Sequence, residues 1–258
     1  MREEFVLNSN VFGTNTYLCH YTSFEKLCNI LSTMTIRVSL FAKANDIAEL
    51  ESNISCIVND ELEHDMEQYI ENRCGYISFS TDKMGYAKLK NSRIGYLIPS
   101  MWGIYADKSQ GACLILDEKE LIKENKLSLS QAKWYKFVNV SYKQFQNPKL
   151  ISKVTSPEKI TYSHYEHILG TKHQSWSHEQ ERRLIGADLP HSLSLKNGVI
   201  QGIILGKHVS LEQKLYLHTI ISDFNLVCYG QIDENHIVRQ EILGANIFTT
   251  DFGTCFLS

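Results

Sequence analysis

The chain has 258 residues, 43% of them hydrophobic and 21% charged, with a net charge of -3. That is enough apolar material for one large domain or two small ones, and it excludes the global basic bias of a non-specific nucleic-acid binder. The 14 glycines and 4 prolines argue against long disordered linkers.

From the N-terminus, TYLCHYT is short, apolar and β-prone, and predicts a strand ending near His20. SFEKLCNILST follows as a helix, with Ser23 as cap and Phe24, Leu27, Ile30 and Leu31 at helical spacing. TIRVSL predicts a second strand. FAKANDIAELES, with its Asn45-Asp46 pair, predicts a loop leading into an acidic helix that runs to about Tyr69. CGYISFSTD predicts a third strand. SMWGIYADKSQGACLILD predicts a short helix, a turn at Gly111 and a buried strand, and KWYKFVNVSY another strand. SPEKITYSHYEHILG opens on Ser156-Pro157-Glu158, a helix-start signal, and stops at Gly170. ERRLIG and GVIQGIILG predict strands. SLEQKLYLHTIIS predicts a helix with Leu211, Leu215 and Ile220 or Ile221 on its apolar side, and NLVCYG and HIVRQEIL predict further strands.

The alternation is irregular, with neither a βαβ period nor an internal repeat. The expected architecture is therefore α+β: two packed mixed or antiparallel sheets with flanking helices. A single domain over residues 1–258 is expected, with a core of about 17–206 and the C-terminal strands and helix packed on it.

Several familiar motifs fail. GIILGKH has too short a spacing between Gly202 and Gly206 for a phosphate loop, and His208 stands where a magnesium-binding hydroxyl belongs. No GxGxxG follows a strand, and no GxSxG is present. The seven cysteines are scattered, odd in number and without a CxxC pair, which argues against a disulfide framework and a cysteine-held zinc. MREEFVLNSN lacks the apolar core of a signal peptide, and no apolar run approaches the roughly 20 residues of a membrane span. The expectation is a soluble, cytoplasmic protein that engages no membrane. His164, His167, His173 and His178, with Glu166 and Glu179, are dense enough to consider a metal, but no HExxH or HxH pattern orders them, and no metal is expected.

Three short stretches carry chemistry better. His20-Tyr21-Thr22 ends the first strand, where an imidazole and a hydroxyl can bond a ribose or simply cap the turn. Ser78 and Ser80 alternate on the third strand, so both hydroxyls share a face and Phe79 takes the other. Glu179 and Glu181 flank Gln180 in KHQSWSHEQERRLIG. Two carboxylates this close repel, and their pKa values are pushed apart. Arg182 or Arg183 can moderate that repulsion, or the segment is a solvated edge with ion pairs of little energy. Trp102 and Tyr105 sit one helical turn apart, as core packing or as a wall for a flat ring.

The order His, Ser-x-Ser, Glu-x-Glu resembles the ADP-ribosyltransferase superfamily. The opening YLCHYTSFEKLCNILSTMTIRVS is similar to that of DarT-type DNA ADP-ribosyltransferases. The fuller pattern, His-Tyr-Thr, Asn-Asp, Phe-Ser, Met-Trp-x-x-Tyr-Ala and Trp-x-x-Glu-x-Glu-Arg, resembles an uncharacterised prokaryotic family of unknown function over roughly residues 17–206. The resemblance implies NAD as substrate and no metal. It implies that His20, Tyr21 and Thr22 hold the NAD ribose, that Ser78 and Ser80 shape the nicotinamide side, and that Trp102 or Tyr105 stacks on the ring. Glu181 would bond the nicotinamide ribose and stabilise its developing positive charge, and Glu179 would position the acceptor.

The implied partner is a macromolecular acceptor, nucleic acid or protein, together with an antitoxin or other regulatory partner if the chain is a toxin or antiphage effector. The chain also departs from the pattern. Transferases with Ser-x-Ser and Glu-x-Glu usually begin with Arg, and those beginning with His usually carry a paired-tyrosine strand. The acceptor class therefore stays open, as do an NAD glycohydrolase and a non-catalytic module that binds nucleotides, nucleic acid or protein.

Overall fold

The computed structural model describes residues 17–43, 47–81, 95–96, 98–144, 154–155, 159–196, 198–223, 230–232, 238–240, 246–250 and 253–257. In chain order they form β1 (Tyr17–Thr22), α1 (Phe24–Thr33), β2 (Thr35–Arg37), β3 (Ser39–Leu40), α2 (Ile47–Ser55), α3 (Asp60–Arg73), β4 (Cys74–Ser80), α4 (Pro99–Ile104), β5 (Ala112–Asp117), α5 (Glu118–Glu124), α6 (Lys126–Leu129), β6 (Trp134–Asn139) and β7 (Ser141–Lys143). They continue with α7 (Tyr162–Leu169), β8 (Thr171–His173), a 3-10 turn over Gln174–Glu179, β9 (Glu181–Ala187), β10 (Ser192–Ser194), β11 (Ile200–Gly206), α8 (Leu211–Asp223), β12 (Gly230–Ile232), β13 (Val238–Gln240), β14 (Asn246–Thr250) and β15 (Gly253–Leu257). The protein is thus mixed α+β with antiparallel sheets and several helices. The expected Asn45-Asp46 loop lies outside the described residues.

The elements fall into two compact units, each drawn from separate stretches of chain. The first comprises Met1–Thr33, Thr81–Glu124 and Leu195–Ser258, and the second Met34–Ser80 and Asn125–Ser194.

In the first unit the strands run antiparallel in the order β14–β15–β11–β5–β1. Every residue of β5 is buried, which is why ACLILD is a continuous apolar run rather than an alternating one. α4 packs on this sheet through Met101 and Trp102, joined by Ala106 just beyond its end, against Tyr21, Cys113 and Ile204. The chain leaves α4 through Asp107, Lys108 and Ser109, all at positive φ. It re-enters the sheet at Gly111, where a Cβ would meet the Thr22 carbonyl oxygen at 2.1 Å, so glycine is required.

α8 differs from the expected pattern. Ile220 is buried as expected, but Leu211 and Leu215 are 71% and 61% exposed, and Leu217 is buried in their place. Leu217 lies one helical turn from Ile220, and periodicity alone does not say which apolar residues meet the core.

In the second unit β3, β4, β9 and β6 pair antiparallel in that order. α2, α3 and α7 supply a core with Ile185 and Ala187 of β9, including Ile54, Met66, Ile70 and Ile168. Asn53, buried on α2, ties that helix to the end of α7 by donating to the Ile168 and Thr171 carbonyls at 3.0 and 2.9 Å. α7 starts at Tyr162 rather than at Ser156-Pro157, which lies outside the described residues. Thr161 is the N-cap, and its N–H donates to His164 Nδ1 at 2.9 Å. β7 and β8 pair in parallel, and β2 pairs with β10.

Candidate functional site

The second unit brings the Ser-x-Ser and Glu-x-Glu stretches together. β4 and β9 pair so that Ser80 faces Glu181 and Ser78 faces Arg183. Strand alternation puts these four side chains on one face. The other face takes Phe79 and Arg182, whose guanidinium lies 5.4 Å from the Phe137 ring and donates to Asn139 at 2.8 Å. Of the two arginines expected to moderate the glutamates, Arg183 does so.

The Glu181 carboxylate is the centre of the cluster. Its Oε1 accepts from the Ser78 hydroxyl and from Arg183 Nε at 2.6 Å. Its Oε2 accepts from Arg183 Nη2 at 3.1 Å and from Lys172 Nζ at 3.0 Å. Two donors on each oxygen fill the roughly four acceptor positions of a carboxylate. The Arg183 fork is a bidentate, charge-assisted contact, and its Nη1 donates to the Leu169 carbonyl at 2.7 Å. The Glu181 N–H donates to the Tyr142 hydroxyl of β7 at 2.8 Å.

Burial by itself would raise the Glu181 carboxyl. Arg183 and Lys172, then the bonds from Arg183 and Ser78, overcome it and hold the group near 2. Burial likewise works to lower the Lys172 ammonium, and the Glu181 and Glu179 carboxylates reverse that and raise it. Burial raises the Tyr142 phenol above its ordinary value, so it stays protonated.

Glu179 is as enclosed as Glu181. Its side chain is 3% exposed, against 4% for Glu181, and it accepts from Lys172 at 2.7 Å. The stretch before it is a 3-10 turn rather than an open loop, and this folds Glu179 back under cover. Trp176 is half-buried in that turn, with Lys172 Nζ 5.4 Å from its ring centroid.

Gln180, between the two glutamates, is left-handed at φ 48° and ψ 50°. A non-glycine residue there carries backbone strain of about 1–3 kcal/mol. The enclosed Oε1 of Gln180 and Oγ of Ser80 have no hydrogen-bond partner among the described residues. Leaving such groups unpaired costs about 1–3 kcal/mol each. The cluster thus combines a fixed, ionised carboxylate with two enclosed hydrogen-bonding atoms and a strained joint.

The remaining expected residues belong to the first unit. Tyr21 and Thr22 are buried on β1, and His20 is half-buried between Cys19 and Tyr21. The Tyr21 hydroxyl donates to the Gly95 carbonyl at 2.8 Å, and its ring meets Trp102 edge-on at 5.2 Å. Trp102 is buried and donates from Nε1 to the Tyr96 carbonyl at 2.8 Å. Tyr105, at the C-terminal end of α4, is partly buried against the same core.

Among the described residues no three His, Cys, Asp or Glu side chains are grouped to hold a metal ion. His164 serves as a helix cap, and His173 and His178 bond within the 3-10 turn. No helix among the described residues is long and apolar enough to cross a membrane.

Lys172 and Tyr142 went unread in the sequence. Both reach the cluster from the parallel β7–β8 pair, and nothing in two three-residue stretches announces such a pairing.

No curated protein and no solved structure matches the chain. Residues 101–184, from the Met-Trp-Gly-Ile-Tyr-Ala stretch to Leu184 of β9, match a family described as a protein of unknown function, DUF2971. That match covers about a third of the chain.

Proposed function

We propose that the protein transfers ADP-ribose from NAD to a macromolecular acceptor, nucleic acid or protein, with Glu181 as its catalytic carboxylate. The observation that carries this reading is the contact of Ser78 with Glu181, which joins the Ser-x-Ser and Glu-x-Glu motifs of the resemblance in one cluster. Loss of nicotinamide builds positive charge on the ribose, and a fixed, desolvated carboxylate is worth most where charge develops. Glu179, beside it, positions the acceptor.

The donor set suits a sugar with one adjustment. All four positions on Glu181 are occupied, so a ribose hydroxyl must replace one of them. Ser80 Oγ and Gln180 Oε1 offer enclosed hydrogen-bonding atoms for the same ligand. On this reading the fold is ADP-ribosyltransferase-like and the chain is a cytoplasmic toxin or antiphage effector, held in check by an antitoxin or other regulatory partner. Free cysteines at Cys19, Cys28, Cys56, Cys74 and Cys113 support a reducing compartment.

The saturation of Glu181 favours a second reading, a non-catalytic binding module in which the cluster is structural. Nicotinamide release from NAD separates the readings. Release that requires cell lysate indicates transfer, and release by the protein alone indicates an NAD glycohydrolase. No release, with a melting temperature unmoved by NAD, indicates the binding module.

A further inference from the structure

Lys172 reaches Glu179 at 2.7 Å and Glu181 at 3.0 Å through one ammonium, on the Oε2 atom of each. The two glutamates come from either side of the left-handed Gln180. The groups facing Glu181 are Arg183 on its own strand, Ser78 of β4, Tyr142 of β7, Lys172 of β8 and Glu179 of the 3-10 turn. Arg183 spends its fork on Glu181 and its remaining Nη1 on the Leu169 carbonyl. Lys172 is thus a cation that both carboxylates share. Without it, two enclosed carboxylates would repel, and one would take up a proton.

We propose that Lys172 is a positioning residue that holds Glu179 and Glu181 together as an ionised pair. The site then presents two carboxylates to its ligand rather than one carboxylate and one carboxylic acid. The inference rests on reading Glu179-Gln180-Glu181 as the working end of the site. Its first readout does not depend on NAD turnover.

The test follows the two glutamate carboxyl carbons by NMR through a pH titration, in the wild type, Lys172→Met and Lys172→Arg. Methionine keeps the length and apolar stem and removes the charge. In Lys172→Met the proton-uptake midpoint of one carboxyl should rise by at least one pH unit, a tenfold gain in proton affinity, and arginine should bring it back. If the protein consumes NAD, its pH profile should gain a matching acid limb in Lys172→Met alone. Carboxyls that titrate in Lys172→Met as in the wild type overturn the proposal.

Should Lys172→Met fail to fold, Glu179→Gln combined with Lys172→Met restores the charge balance around Arg183 and Glu181 and is expected to fold. If that double variant also fails, the proposal is overturned. A titration shift without any nicotinamide release leaves Lys172 in its role and removes the transferase reading alone.

Discussion

Ser78 and Glu181, 103 residues apart in sequence, are joined by a hydrogen bond from hydroxyl to carboxylate across β4 and β9. The bond exists because β4 and β9 pair in a register that puts both side chains on one face. Ser78→Ala removes a donor to a buried, charged acceptor. Urea unfolding should show a loss of about 1–3 kcal/mol. An unchanged midpoint would mean that Arg183 and Lys172 alone satisfy the carboxylate.

Glu181→Gln keeps the shape of the side chain and leaves Lys172 and Arg183 facing a neutral amide. Removing one partner of a buried ion cluster costs about 3–5 kcal/mol, so this variant should be clearly destabilised. Activity should fall about 100-fold or more, measured at a temperature where circular dichroism shows the variant folded. A folded variant with full activity removes Glu181 from the mechanism.

Acid should weaken the fold through the same residue. The Glu181 carboxyl is depressed from its usual 4.5 to near 2 in the folded protein. A depressed carboxyl contributes stability that is present above the unfolded value and lost as pH falls through the folded one. The contribution is on the order of 3 kcal/mol at neutral pH and should disappear between about pH 4.5 and pH 2. The stability difference between wild type and Glu181→Gln should narrow over that window. A constant difference down to pH 2.5 contradicts the account.

Much of the strand content was legible because alternation and apolar runs carry it. CGYISFS, ERRLIGA and ACLILD gave their strands and the shared face of Ser78 and Ser80 directly. The depth of the glutamates was not legible. Glu179 is covered by a 3-10 turn whose composition, Gln-Ser-Trp-Ser-His-Glu, reads as an open polar loop. Lys172 gave no signal because its importance comes from the parallel pairing of β7 with β8. On α8 the burial of Ile220 was legible and the exposure of Leu211 and Leu215 was not, because apolar residues at helical spacing need not all meet the core.

Gly186 tests the strand pairing itself. A Cβ there would lie 2.4 Å from the Trp134 carbonyl oxygen and 3.0 Å from Tyr135 Cα, both backbone atoms of β6. Gly186→Ala should force β6 away from β9 and cost about 1–3 kcal/mol or more, read as a lower thermal midpoint. Faster amide exchange should accompany it in Trp134–Asn139. Unchanged exchange in β6 would show that the edge strand accommodates the methyl without moving.

The most direct measurement is nicotinamide release by the purified protein supplied with NAD, with and without cell lysate, beside the folded Glu181→Gln variant. The account predicts release that depends on lysate, transfer of ADP-ribose to a macromolecule in that lysate, and loss of both in the variant. Release of no nicotinamide under either condition, together with a melting temperature that NAD leaves unmoved, would contradict it.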